Sequence, residues 1–172
     1  MKSKTTPKRR KAAASPVITL TPQLLNIGHI LVPTDFSEPS HNALRYARRF
    51  AEQFGAKITL LFVNEPVMYP DFAYYPLTME NDQVMKIASA KLATIGAKEI
   101  GTEHVEKILV RNGNPFHEIT EAARTLKVDL IIISTHGYTG LKHALLGSTA
   151  ERVVRHAPCP VLTVRDKEHE FV

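Results

Sequence analysis

Gly137, Gly140 and Gly147 form the densest glycine cluster of the chain, and Ser148-Thr149 follow at once at the head of an amphipathic segment. Glycines let a backbone approach a ligand closely, and a serine at a helix N-terminus either caps the helix or donates to phosphate oxygens there. The chemistry on offer is phosphate binding; the alternative is a loop whose glycines only relieve tight turns. Asp35 follows the apolar run Ile30-Leu31-Val32-Pro33. It reads either as a brace for the turn after a strand or as an acceptor for ribose or a group that helps hold a cation. His136 lies within the glycine loop and His143 further along it, with no third ligand at metal-site spacing. His136 therefore either shapes the loop or touches the ligand directly.

Other chemistries find less support. Neither Gly-x-x-x-x-Gly-Lys-Ser/Thr nor Gly-x-Gly-x-x-Gly occurs, which disfavours a P-loop NTPase and a typical dinucleotide dehydrogenase. No Ser-His-Asp arrangement or carboxylate pair can be defended from spacing. Nothing stands ready to activate water against a terminal phosphate, so any hydrolysis is expected to be slow. Cys159, between Pro158 and Pro160, reads as a small core hydrophobe, because no basic residue or histidine stands beside it.

The elements that must position these residues alternate. His29 to Pro33 is a buried strand. Ser37 offers an N-cap and Pro39 a first turn to a helix carrying Ala43, Leu44, Ala47, Phe50, Ala51 and Phe54 at 3–4 spacing, which Gly55 stops. Lys57 to Val63 is a second strand. Residues 65–78 lose periodicity and hold Tyr69, Phe72, Tyr74 and Tyr75, so they read as a binding segment or as an aromatic flap over the sheet. A long helix runs from about Met79 to Gly96 or Gly101, with Val84, Ile87, Ala88, Leu92 and Ile95 expected inward.

Strand three is His104 to Val110, ending at the turn Arg111-Asn112-Gly113-Asn114. Pro115 opens a helix expected to bury Phe116, Ile119, Ala122, Ala123 and Leu126. Strand four is Asp129 to Ser134; a helix from Ser148 to His156 and a last strand from Pro160 to Arg165 complete the order. Strands alternating with helices imply a three-layer, doubly wound α/β domain with a five-stranded parallel sheet. Ligands in such sheets gather beyond the carboxyl ends of the strands, which singles out the segments after Pro33, Val63 and Ser134.

The chain has 172 residues with 44% apolar and 23% charged, and its mean hydropathy is −0.13, which are globular values. No apolar run approaches the ~18 residues that would span a bilayer. The net charge of +5 is local: residues 1–11 hold six basic residues and no acid, leaving 16 basic and 17 acidic residues elsewhere. A specific nucleic-acid footprint belongs on a folded face, so none is expected. Residues 1–26 read as a basic, disordered extension, 27–166 as the domain and 167–172 as a short tail. Pro7, Pro16 and Pro22 argue against a transit helix, and no apolar stretch follows Arg9-Arg10 as an export signal needs. With one free cysteine, a cytoplasmic protein is expected.

Ile30-Leu31-Val32-Pro33-Thr34-Asp35-Phe36-Ser37 resembles the opening strand of the universal stress protein family. Ser134-Thr135-His136-Gly137, nine residues, then Gly147-Ser148 resembles that family's nucleotide motif, Gly-x-x-Gly-x9-Gly-Ser/Thr. Ala150 through Leu162 matches its final helix and strand, and the resemblance covers residues 27–166. It implies an adenine-nucleotide-binding, Rossmann-like fold of strand order 3-2-1-4-5. Adenine and ribose would lie against Pro33, Thr34, Asp35 and Val63, and the triphosphate along Gly137, Gly147, Ser148 and Thr149. ATP with Mg²⁺ or Mn²⁺ is the implied cofactor. An antiparallel pairing of Val161–Arg165 across a two-fold axis is the implied homodimer.

The motif's first glycine is Ser134 here. Either the phosphate loop loses backbone freedom at that point, or the serine hydroxyl is tolerated near the ribose. The expected function is a homodimeric, ATP-binding regulator in the stress response. The alternatives are a slow ATP hydrolase or nucleotide-processing enzyme, and an interaction module that binds no nucleotide.

Overall fold

The computed structural model describes residues 25–65, 78–135 and 146–165, with only the backbone described for 78–81. The expectations for the basic extension through residue 24, the aromatic segment 66–77, the loop residues His136, Gly137, Gly140 and His143, and the tail from 166 lie outside the described residues. β1 (His29–Pro33), β2 (Lys57–Asn64), β3 (Val105–Asn112), β4 (Leu130–Ser134) and β5 (Val161–Val164) form one parallel sheet in the order β3-β2-β1-β4-β5. This is the expected order 3-2-1-4-5. Ile30 stands opposite Ile58 on one side and Leu130 on the other.

Successive side chains of a strand point to opposite faces, so β1 and β4 feed two cores. Ile30, Val32, Leu130 and Ile132 pack with α1 (Glu38–Phe54) through Ala43, Leu44, Ala47 and Ala51, and with Leu92 and Ile100. Leu31, Ile131 and Ile133 pack on the opposite face with α3 (Pro115–Leu126) and α4 (Ser148–His156), through Ile119, Ala122, Ala123, Ala150 and Val153. Burial on both faces is why these strands read as continuous apolar runs. At the base of the sheet Asp129 accepts the N–H groups of Gly28 and His29, at 2.8 and 2.9 Å, and so ties the entry of β1 to that of β4.

α1 ends as expected, on Gly55 at φ 68°. The long helix needs a correction. α2 (Thr78–Ile95) passes into one π-helical turn, Gly96–Ile100. Its buried stripe is Ala88, Leu92, Gly96 and Ile100, whereas Val84 is 40% and Ile87 60% exposed, although both were expected inward. Ile87 sits one residue, a turn of about 100°, off that stripe. Gly96 permits the approach: a Cβ there would meet Leu60 at 2.9 Å. β3 extends two residues beyond the expected Val110, because Asn64 and Asn112 are ladder partners and Asn64 Nδ2 donates to Asn112 Oδ1 at 2.9 Å. Among the described residues, no helix is long and apolar enough to cross a membrane.

Candidate functional site

The chain leaves β1 through a turn built on short polar side chains. Thr34 N–H still donates to the Leu61 carbonyl at 2.9 Å, which holds the strand end against β2. Asp35 Oδ1 accepts Ser37 N–H at 3.0 Å and Ser37 Oγ–H at 2.5 Å. The side chain thereby mimics a backbone turn, and Phe36 between them sits at φ 64°. A phenylalanine rarely adopts that region. Its ring is held by Phe62, with centroids 4.6 Å apart, and by Lys91 Nζ, 4.2 Å from the ring centre. Ser37 occupies the expected N-cap position of α1 but makes no side-chain cap bond, since its hydroxyl goes to Asp35.

Beneath this turn lies a hydroxyl relay. Thr34 Oγ1 accepts Phe36 N–H at 3.1 Å, Thr34 Oγ1 and Ser40 Oγ are 2.8 Å apart, and Ser40 Oγ donates to the Ser37 carbonyl at 2.7 Å.

On the other side of the crevice, Thr135 follows β4 and donates its N–H to the Val164 carbonyl of β5 at 2.8 Å. Gly147 N–H donates to the Thr135 carbonyl at 2.7 Å, and a Cβ on Gly147 would come to 2.9 Å from that same oxygen. Gly147 is at φ −64°, an ordinary value for any residue, so its glycine answers to close approach and not to chain conformation. Gly147, and not Ser148, occupies the N-cap of α4, and among the described residues no side-chain cap bond is made there. Ser148 as a cap is therefore corrected. A glycine N-cap has no side-chain oxygen to offer, so the first N–H groups of α4 keep their partial positive charge.

Between these walls runs a cleft of about 290 Å³. Pro33, Thr34, Asp35, Val63, Gly147, Ser148 and Thr149 all line it; Gly137 is outside the described residues. Ser134 lines it too. It lies in the strand β4, and among the described non-glycine residues only Phe36 and Lys127 have positive φ, so the backbone at Ser134 makes no demand that only glycine meets.

Sequence reasoning missed the apolar wall of Leu61, Pro115, Ile119 and Ile133, and also Ser40. Ile119 and Ile133 read only as core, and their place in the wall follows from how α3 crosses the sheet. Ser40 carried a faint signal, as a hydroxyl on the inward stripe of α1 that continues through Ala43, Leu44 and Ala47.

The cleft thus offers backbone donors at α4, apolar walls from β2 and α3, and oxygen acceptors at the end of β1. Among the described residues no group of three or more His, Cys, Asp or Glu side chains could hold a metal ion. Cys159 is elsewhere, packed against the core beneath α3 and α4. Burial, helped by the negative charge of Asp129, pushes its thiol pKa up, which leaves the thiol protonated and unreactive at neutral pH.

Comparisons with known proteins agree with this architecture. The family model described as "Universal stress protein family" matches residues 26–165. A universal stress protein of Methanocaldococcus jannaschii, MJ0531, is 36% identical over 152 residues, spanning 82% of this chain and 84% of that one. One from Thermus aquaticus is 32% identical over 141 residues, spanning 79% and 97%. The solved structure of hypothetical protein MJ0577 superposes with a TM-score of 0.72 at 31% identity, covering 84% of this chain and 100% of that one. A universal stress protein solved in complex with cAMP shares the fold, with a TM-score of 0.59 at 22% identity, covering 83% and 100%. A family match across nearly the whole described fold, relatives above 30% identity and a solved structure that superposes at a TM-score of 0.72 lead to one conclusion: the chain belongs to the universal stress protein family.

Proposed function

We propose that the cleft binds an adenine nucleotide, ATP with Mg²⁺ or Mn²⁺, and that residues 27–166 act as a homodimeric, nucleotide-dependent regulator in the stress response. The observation that supports this reading is that seven residues which the family resemblance assigns to a nucleotide line one cleft with a graded lining. Backbone N–H groups at the uncapped start of α4 suit phosphate oxygens. The apolar residues Leu61, Val63, Pro115 and Ile119 suit the faces of a base. The close approach of Gly147 to Thr135 fits a backbone cradle that a side chain would fill. A divalent cation would be held chiefly by phosphate oxygens and water, as Mg²⁺ commonly is, with Asp35 the carboxylate nearest to hand in sequence. The cation would offset the charge of the triphosphate.

Ser134 in a strand conformation supports a tolerated substitution, which favours the nucleotide reading over a module that has lost it. That a protein of this fold is solved with cAMP says that the fold can hold an adenine nucleotide. The homodimer would form at the edge strand β5, beyond which the sheet has no further strand among the described residues.

Isothermal titration of ATP with Mg²⁺ tests the reading, together with mass spectrometry of nucleotide released from the purified protein. Saturable heat with one nucleotide per chain is expected. No heat and no released nucleotide would leave the interaction module. Phosphate released over hours would favour the slow hydrolase.

A further inference from the structure

We infer that Val17-Ile18-Thr19-Leu20-Thr21 docks on the open edge of β3 as a sixth strand, antiparallel to it. The inference stands apart from the nucleotide reading and concerns the edge of the sheet that the proposed dimer leaves free.

β3 is the longer of the two edge strands, with 8 residues against 4 in β5. Just past its end, Gly113 N–H donates to the Asn64 carbonyl of β2 at 3.0 Å. Backbone groups alternate sides along a strand, so Leu109 and Arg111 also face β2, while the N–H and C=O groups of Ile108, Val110 and Asn112 face outward. Among the described residues no strand lies on that side. Burial falls off there too. Ile58, Leu60, Ile131 and Ile132 of the inner strands are fully buried, whereas Val105, Ile108, Leu109 and Val110 are half-buried. Ile108 and Val110 pack on the α1 side of the sheet and Leu109 on the other. An edge of this length, apolar on both faces, is a template for one more strand.

The chain itself carries a segment of matching chemistry. Val17-Ile18-Thr19-Leu20-Thr21 is rich in β-branched residues, and Pro16 and Pro22, which have no N–H to give a ladder, bound it. No charged residue occurs from Ala12 to Gly28, so the segment brings no charge to bury beside Ile108 and Val110. Length then selects the direction. A strand beyond β3 lies three strand spacings from β1, about 14 Å. The chain from Thr21 to the buried Ile27 reaches up to about 20 Å. That suffices only if Thr21 lies near the base of the sheet, where Ile27 leads into β1. The segment then runs down the edge while β3 runs up it, which is the antiparallel sense. The edge of β5 lies no further off, but that strand is shorter than the segment and is the surface proposed for the second copy. Covering β3 leaves β5 to pair across a two-fold axis, so assembly closes on two copies and does not continue as an array.

The experiment follows amide hydrogen exchange by NMR in the full-length protein, with no nucleotide added. It compares wild type with the double variants Ile18→Pro/Thr19→Pro and Ile18→Val/Thr19→Val. Neighbouring N–H groups face opposite sides, so the proline pair removes one that faces β3 whatever the register. The outward N–H groups of Ile108 and Val110 are expected to exchange ~10-fold or more faster in the proline pair than in wild type. Those of Leu109 and Arg111 should keep their rates, which also shows that the variant is folded. The valine pair should match wild type throughout. A nitroxide on Ser15→Cys, in a Cys159→Ala background, should broaden Asn112 more than Val105, because antiparallel docking brings that end of the segment toward the end of β3. Wild-type exchange of Ile108 and Val110 at the rate of an unfolded chain would overturn the inference, as would equal rates in wild type and the proline pair. Protection that falls on dilution would place a second copy on the edge and overturn it too, as would stronger broadening of Val105.

Discussion

The carbonyl oxygen of Thr135 accepts the N–H of Gly147 at 2.7 Å and stands 2.9 Å from where a Gly147 Cβ would be. This contact ties the start of α4 to the end of β4, and it sets that start against the cleft. Real Cβ atoms do not sit that near a backbone oxygen, so any side chain must push the two apart.

Gly147→Ala isolates that effect, since φ −64° suits alanine as well as glycine. The expected outcome is a displaced helix start and ATP affinity reduced by ~10-fold or more, about 1.4 kcal/mol, while far-UV circular dichroism stays unchanged. Unaltered affinity would mean that the phosphates do not depend on this junction.

Ser134→Gly restores the residue that the motif carries. With a strand backbone at this position and the residue 9% exposed, the exchange should alter ATP affinity by less than ~10-fold. Tight binding by the variant alone would identify the serine as a disabling substitution.

The dimer proposal can be tested without harming the fold. The Pro160 carbonyl accepts the N–H of Ile131 in β4 and the Val164 carbonyl that of Thr135 just after it, and backbone groups alternate sides along a strand, so the N–H and C=O of Thr163 point to the open edge. Thr163→Pro should remove an outward donor and spare the internal ladder. Sedimentation should find a dimer for wild type at micromolar concentration and a weakened one for the variant, with little change in melting temperature.

Asp129→Ala should act on stability alone. It strips the acceptor from two N–H groups, those of Gly28 and His29. A loss of about 1 kcal/mol in urea unfolding is expected, with ATP affinity unchanged because Asp129 lies at the strand ends opposite the cleft.

Cys159 makes stability depend on alkaline pH. Burial holds the folded thiol's pKa above its unfolded value, so the native state keeps the proton longer than the unfolded one. Stability is therefore full below about pH 8.5 and falls as pH rises through and above it. Denaturation curves at pH 7 and pH 9.5 should show this fall in wild type and a smaller one in Cys159→Ala, once each is referred to its own value at pH 7.

Much of this protein was legible along the chain. Strands buried on both faces announce themselves as unbroken apolar runs such as Leu130-Ile131-Ile132-Ile133, and helices by 3–4 spacing, because each pattern answers to a local repeat. The segments ending in Pro33, Val63 and Ser134 were candidates because parallel sheets collect ligands at one end. Periodicity carries no strand order, however; the order 3-2-1-4-5 came with the family resemblance, and long-range pairing realises it. The tertiary structure alone brought Pro115 and Ile119 into the cleft wall, left Val84 and Ile87 in solvent, and moved the α4 cap from Ser148 to Gly147. It alone set the Thr34 and Ser40 hydroxyls 2.8 Å apart. Each of these depends on what a residue meets across the fold, and neither composition nor spacing records a neighbour that is distant in sequence.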